Sequence, residues 1–519
     1  MYKNFFRIIA IFISIILLLL LSITFFYRDI VISHNSGFYD KEFYLSIKTD
    51  KQSKIYYTLD CSKPTKESTQ YTSPILIEDA SKNPNIYSNR KDMSFNFYYD
   101  KKGQKTAANT VDKATIVRIA KYDKNNNFIN ETYRIYFVNF KNKNKKGEYN
   151  LPIVSIMMEP EDIVSEEKGI FVLGKKETTK SISCEKGKNE NINFCQRGKD
   201  WQRKSFIDVF DERDRELLLT QSARIKIKGS ESREWIQKSM SLYSEKEYSG
   251  SRYFKINPFR KNKKIHNIVL FNGGNDGYIK LREYLIQKTE ERTNQHSFTI
   301  KMIPCIVFLN GEYWGVYYLS ENANKDYFHT LYNIRKTNIE IAKKEINLKK
   351  ETIDIDNFIN YFATELYIAN PDWPRHNVAV WRTLYEGSKN KYADKKWRFI
   401  LYDINAMDTL KEYKYDSIGT AMNDSILFKT MMKDKEIREK LIKRLYFLEN
   451  EVYTPEKMDK FIEEWLLVMK EPLYKNNERF FAVEPNILIE EKIQEIKTFF
   501  KLRPKYLNEH IKTHLLSEE

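Results

Sequence analysis

The chain has 519 residues, with 87 lysines and arginines against 71 aspartates and glutamates for a formal net charge of +16, and is 41% hydrophobic and 14% aromatic. That length and apolar content exclude a single small module and wholesale disorder, and the low Gly and Pro content (16 and 13) excludes collagen-like or low-complexity architecture. The positive balance suits acidic partners such as phosphates, anionic lipid or wall polyanions, without choosing among them.

From the N-terminus, Ile8 to Tyr27 carries no charge and includes the run Leu17 to Leu21. As a helix this stretch would be about 30 Å long, the thickness of the hydrocarbon layer, and predicts one transmembrane span within residues 1–29. Lys3 and Arg7 precede it, so the N-terminus is expected in the cytoplasm and the bulk of the chain outside. A cleaved signal peptide is the rival reading. Ser22 to Tyr27 lacks the small-x-small pattern of a cleavage site, which favours an uncleaved anchor and a single-pass membrane protein. Of the four cysteines, Cys184 and Cys195 flank a short polar loop that a disulfide could close, while Cys61 and Cys305 read as buried free thiols.

Residues 38–140 hold short strand-like runs separated by polar turns: Phe43–Ile47, Ile55–Leu59, Ile75–Ile77, Ala114–Ala120 and Tyr133–Val138. This spacing predicts a small β-sandwich. The stretch Ile55 to Thr65, with Tyr71 and Pro74-Ile75, resembles the chitobiase C-terminal/Fn3-associated module, although that family usually has Gly where Cys61 stands. The resemblance implies a passive spacer, with cell-wall glycan contact as its alternative. Lys141 to Gly147 is a charged, turn-prone linker, and a second unit is expected over 148–519.

In that unit Leu151–Ile156 reads as a buried strand. Ala223–Lys228 alternates and ends in a Gly229-Ser230 turn, and the strand after Lys238 pairs back as a hairpin. Small residues at such a turn let backbone amides approach a phosphate, and a neighbouring ammonium neutralises it; read alone, the motif is a surface hairpin. Leu281–Arg292 has helical spacing, and Ile303–Glu321 reads as two strands joined at Asn310-Gly311. A hairpin with Lys, a helix with Glu, a second hairpin and then helices follow the order of a protein-kinase N-lobe and hinge. Beyond lie Asp372 with Asn377 five residues on, and Asp403 after a strand; in a kinase such groups orient the hydroxyl and hold Mg²⁺. Residues 424–515 are helical by spacing, with Trp465 in a core stripe.

These blocks, with Lys228-Gly-Ser-Glu-Ser-Arg233, Leu270-Phe-Asn-Gly-Gly-Asn-Asp276 and Leu309 to Tyr317, resemble the CotH kinase family, the spore-coat protein H type of atypical protein kinases, over about 151–410. The resemblance implies an α+β, bilobal kinase-like fold with a β-rich N-lobe and helical C-lobe. It implies ATP with Mg²⁺ or Mn²⁺ as cofactors. It also implies catalytic Asp372, metal ligands Asp403 and Asn377, and an adenine-stacking Trp397. Lys238 would contact the phosphates, paired with Glu283, and Gly229, Ser230, Arg233 and Glu321 would complete the nucleotide site. On an extended strand Trp397 and Asp403 would stand about 20 Å apart, so the strand must bend or begin after Trp397. Phe271 replaces a usual Arg, and the Lys-rich Gly387–Lys396 loop departs from the pattern, but neither removes a catalytic group. The expected activity is transfer of the ATP γ-phosphoryl group to Ser or Thr of surface or spore-coat proteins, with no nucleic-acid partner. The alternatives are a wall-binding adhesin on a pseudokinase scaffold and nucleotide-dependent transfer to another acceptor.

Overall fold

A computed structural model describes residues 30–94, 105–175, 184, 191–293, 299–343, 348–406, 408–481 and 485–516. The chain is mixed α+β. No helix among the described residues is long and apolar enough to cross a membrane. This overturns the expected single-pass localisation; the Ile8–Tyr27 stretch on which it rested lies outside the described residues.

The N-terminal β module is a five-stranded sheet in the order Gly37–Tyr39, Phe128–Val138, Thr115–Tyr122, Lys54–Thr58, Thr69–Gln70. Two two-stranded pairs accompany it, and Leu45, Ile47, Ile55, Ile77, Val117 and Ile119 pack into one apolar cluster between them. Cys61 has φ +67°, the left-handed region that favours glycine, and its carbonyl accepts a 2.7 Å hydrogen bond from Arg118 Nη1. Arg118 also pairs with Glu159 at 2.6 Å, so the departure from Gly sits where the module meets the next unit.

That unit opens with a closed barrel of seven strands: β1 (Ile153–Met158), β2 (Arg203–Phe210), β3 (Leu217–Lys228), β4 (Ser239–Tyr243), β5 (Asn267–Phe271), β6 (Met302–Leu309) and β7 (Glu312–Ser320). Neighbours run antiparallel in the order β1-β2-β3-β4-β5-β7-β6, and the parallel pairing of β1 with β6, Ile153 opposite Ile306, closes the ring. The alternation of β3 explains its two faces: Ala223, Ile225 and Ile227 fill the interior, which leaves Arg224, Lys226 and Lys228 on the outer face. The β6–β7 hairpin turns at Asn310-Gly311, both with positive φ, as its Asn-Gly sequence requires.

Below the barrel, helices α1 (Arg282–Arg292), α2 (Ile355–Ile368), α3 (Pro455–Phe480) and α4 (Pro485–Ile511) contribute to a second, larger apolar core. Asp354 caps α2 by accepting from Asn357 N–H, and Thr454 caps α3, where Pro455 takes the first helical position. Trp465 is buried in this core. A small sheet of Ile339–Lys343, Ala379–Thr383 and Arg398–Phe399 delivers the chain to Asp403.

Module and barrel share buried polar contacts. The Glu312 carboxylate on β7 accepts from the N–H groups of Ile86, Tyr87 and Ser88, and Arg479 on α3 donates to the carbonyls of Ser88 and Lys105. Tyr133 of the module donates to Asp208 on β2 at 2.9 Å, where burial pushes the Asp208 carboxyl up to about 6. Cys184 and Cys195 form a disulfide, and Cys61 and Cys305 are buried free thiols.

Candidate active site

Lys228 is the last residue of β3, and its ammonium leaves the outer barrel face to meet Asn322 Oδ1 at 3.4 Å. Asn322 follows β7 and is itself fixed by donating to Asn267 Oδ1 at 2.6 Å. Desolvation pushes the Lys228 amine down to about 8, against the opposing attraction of Asp403 and Glu283. Lys228 therefore looks across the cleft at two carboxylates on the helical side.

Asp403 has φ +58°, and part of its surface reaches solvent. A non-glycine residue in the left-handed region is uncommon, and the surroundings hold it there. Asn377 Nδ2, on a residue with φ +60°, donates to the Asp403 carbonyl at 3.2 Å. Asn405 Nδ2 donates to Glu283 Oε2 at 3.0 Å and approaches Asp403 Oδ1 at 3.5 Å, while Ile404 N–H donates to Glu283 Oε2 at 2.8 Å. Glu283, buried on the first turn of α1, thus anchors the backbone just after Asp403. The Asp403 carboxyl is held above the ordinary range by desolvation, opposed by Lys228 and reinforced by Asp372.

The Asp372 loop is tied from behind. Asn370, fully buried, accepts from Asp372 N–H at 3.2 Å and donates to Glu365 Oε2 at 3.0 Å. Desolvation pushes the Glu365 carboxyl up to about 8, with the charges of Glu283 and Asp403 adding to the rise. The Gly273-Gly274 turn joins the same network: both residues have positive φ, and Asn275 N–H donates to Asn405 Oδ1 at 3.1 Å. A Cβ at Gly274 would meet that oxygen at 2.4 Å, so only glycine fits.

The structure thus brings Asp372, Asn377, Asp403 and Glu283 together, and separates the other expected residues from them. Lys238 is corrected: its ammonium is fully buried and donates to the carbonyls of Met93, Arg233 and Trp235 at 2.8, 2.5 and 2.6 Å, with the Phe194 ring 3.9 Å away. Its ammonium faces those carbonyls rather than Glu283, because it stands just before β4 and off the face of β3 that carries Lys228. Arg233 is buried and spends its guanidinium on the carbonyls of Gly229, Phe194 and Gln196, so it is not available to a phosphate. Gly229 has its carbonyl occupied, and Ser230 is exposed at the turn. Glu321 holds Arg260 through two hydrogen bonds of 2.7 and 2.9 Å and accepts from Lys301 N–H, which makes it a strut rather than a nucleotide contact. Trp397 precedes the strand Arg398–Phe399, but its indole is 5% exposed with the Arg382 guanidinium 4.4 Å above the ring, which leaves no open face for adenine.

Residues that sequence reasoning passed over are Lys228, Asn322, Lys343, Glu365 and Asn405. Lys343 acts on Asp403 as a second cation. The outward position of Lys228 was signalled by the alternation of β3, whereas Asn322, Lys343 and Glu365 come from segments distant in sequence.

Two overlapping segments, 225–350 and 329–507, match the family described as CotH kinase protein, together more than half of the chain. The chain belongs to the CotH kinase protein family. Residues 34–86, within the β module, match the chitobiase/beta-hexosaminidase C-terminal domain. No curated protein matches the chain. The CotH segments contain Lys228, Glu283, Asp372, Asn377 and Asp403, so the family match and the cleft coincide.

A kinase family implies ATP and a divalent cation, and the donor set can be tested against that expectation. Among the described residues no group of three or more His, Cys, Asp or Glu side chains is placed to hold a metal ion by itself. Mg²⁺ does not require one: it is commonly held by one or two carboxylates and completes its shell with waters and nucleotide phosphates. Asp403, with Asp372 and the Asn377 amide beside it, offers hard oxygen donors of that kind.

Proposed function

We propose that this CotH-family protein is a protein kinase that transfers the γ-phosphoryl group of ATP to a Ser or Thr hydroxyl of surface or spore-coat proteins. The observation that carries the reading is the convergence, in one cleft between barrel and helices, of the Lys228 ammonium with Asp403, Asp372 and Asn377. Phosphoryl transfer asks a protein mainly for positioning and for compensation of phosphate charge.

Lys228 would neutralise phosphate oxygens from the barrel side. Asp403 and Asn377 would hold Mg²⁺ or Mn²⁺, which, when bound with nucleotide, neutralises charge on the β- and γ-phosphates. Glu283 and Asn405 fix the Asp403 backbone. Asp372, its loop tied by Asn370, would accept the hydrogen bond of the attacking hydroxyl, orient it and take up its proton as the new O–P bond forms. ADP leaves with the electrons of the broken bond.

The test is titration calorimetry of the protein with a non-hydrolysable ATP analogue and Mg²⁺ or Mn²⁺, run beside radiolabel transfer from ATP to Ser-rich acceptor proteins. Metal-dependent binding and incorporation of label are expected. A protein that binds no nucleotide with either metal would rule out the kinase reading and return the adhesin alternative.

A further inference from the structure

Immediately after Lys228 the chain makes the turn Gly229–Glu234, and this turn is gripped from one side by a disulfide-closed segment. Gly229, with φ +119°, has a carbonyl that accepts from two guanidinium groups, Arg233 Nε at 2.7 Å and Arg197 Nη1 at 3.1 Å. Both arginines also bind the segment closed by Cys184–Cys195: Arg197 Nη2 donates to Cys184 O at 2.8 Å, and Arg233 Nη1 donates to Phe194 O and Gln196 O at 3.2 and 2.9 Å. Glu234 completes the grip by accepting from Cys184 N–H at 2.7 Å. Four hydrogen bonds therefore join the turn to main-chain atoms on both sides of the disulfide or to Arg197 just beyond it. Cys184 and Cys195 are 1% and 6% exposed, so the bridge is part of the packed structure.

We propose that the Cys184–Cys195 bridge, acting through Arg197 and Arg233, is a brace that positions the turn after Lys228 and so holds the Lys228 ammonium at the mouth of the cleft. The physical basis is the position of Gly229: it is the next residue after Lys228, and its conformation is one that few residues adopt unless neighbours impose it. Two guanidinium groups on one carbonyl fix that peptide plane, and through it the end of β3. Without the covalent closure, the carbonyls of Cys184, Phe194 and Gln196 belong to a chain free to move, and their hydrogen bonds cost more ordering entropy to form. Arg197 and Arg233 are thus positioning residues. That the position of Lys228 matters for phosphate binding rests on the kinase reading above; the mechanical claim does not.

The test compares the full protein with Cys184→Ser/Cys195→Ser and, separately, with Arg233→Gln and Arg233→Lys, so that failure of the disulfide-free variant to fold does not remove the comparison. Hydrogen exchange of the amides 229–235 and the rate of Lys228 acylation by a water-soluble amine-reactive ester are read by mass spectrometry. Both are expected to rise at least about tenfold in the disulfide-free and Arg233→Gln variants while the β1 and β2 amides stay protected, with partial recovery in Arg233→Lys. Affinity for an ATP analogue with Mg²⁺ is expected to fall about fivefold in the same variants, measured at a temperature where each is fully folded. Unchanged exchange and acylation in both variants would overturn the brace, and a loosened turn with undiminished nucleotide affinity would overturn its positioning of Lys228 for binding. If the wild type binds no nucleotide while the variants loosen, the kinase reading fails and the brace stands.

Discussion

Two lysines, half-buried Lys228 and fully buried Lys238, stand at the two ends of the turn between β3 and β4, and they have opposite surroundings. Among the described residues Lys228 reaches Asn322 alone as a hydrogen-bond acceptor, and it looks toward Asp403 and Glu283. Lys238 is saturated by three main-chain carbonyls and packed over Phe194, and burial lowers its amine well below the ordinary value. The first has donors left for a ligand; the second has none to spare and holds three segments together. A lysine near a small-residue turn is thus not identified as a phosphate contact by its neighbours in sequence; the face it occupies decides.

The largest effect that would sharpen this contrast lies across the cleft from Lys228. Asp403→Ala and Asp372→Ala are each expected to lower transfer by about three orders of magnitude. They should fail differently: calorimetry should show metal-dependent nucleotide binding lost in Asp403→Ala and kept in Asp372→Ala. Full transfer by Asp372→Ala would break the assignment of the hydroxyl-orienting role.

Next come the lysines themselves. Lys228→Met removes the proposed charge-assisted contact to phosphate and is expected to weaken nucleotide binding by about 10- to 100-fold with little change in thermal stability. Lys238→Met leaves three buried carbonyls without their donor and is expected to destabilise the fold by about 2–4 kcal/mol, while nucleotide affinity changes by less than about twofold. Differential scanning fluorimetry and calorimetry on the two variants separate the cases, and a reversed pattern would restore Lys238 to the site.

The smallest effect is a pH dependence. Burial pushes Lys228 down to about 8 in the free protein, so its positive charge is present at pH 7 and is lost as pH rises through that value. Nucleotide affinity is therefore expected to fall by about tenfold between pH 7 and pH 9. Lys228→Arg, which keeps its charge throughout, should flatten this limb. A wild-type limb that survives in Lys228→Arg would assign the titration to another group.

Much of the architecture was legible because it depends on local pattern. The Asn310-Gly311 hairpin, the alternation of β3 and the helical stripes after 424 each follow from short-range chemistry. The order of these parts also brought Asp372, Asn377 and Asp403 to attention before their geometry was visible. Closure of the barrel was not legible, because β1 meets β6 in parallel across some 150 intervening residues and nothing local marks that pairing. Nor was the fate of Trp397: an aromatic six residues before an acid gives no sign that Arg382 will cover its ring. The polar supports of the site, Asn405, Glu365 and Asn370, were missed for the same reason. Single amides and carboxylates carry no periodic signal, and their meaning lies in partners contributed by other segments.

The seam between module and barrel bears on how the protein could be divided. Cutting the chain at the charged linker near Gly147 would strip the Glu312 carboxylate of the three amides it caps, the Lys238 ammonium of the Met93 carbonyl, and the Arg479 guanidinium of the carbonyls of Ser88 and Lys105. Each is a charged group inside the protein, and a charge left there without its partners costs more than the contact itself contributed. Heat or denaturant should accordingly melt the two parts in a single transition. The kinase-like unit in isolation would inherit three vacant sockets where its neighbour used to sit.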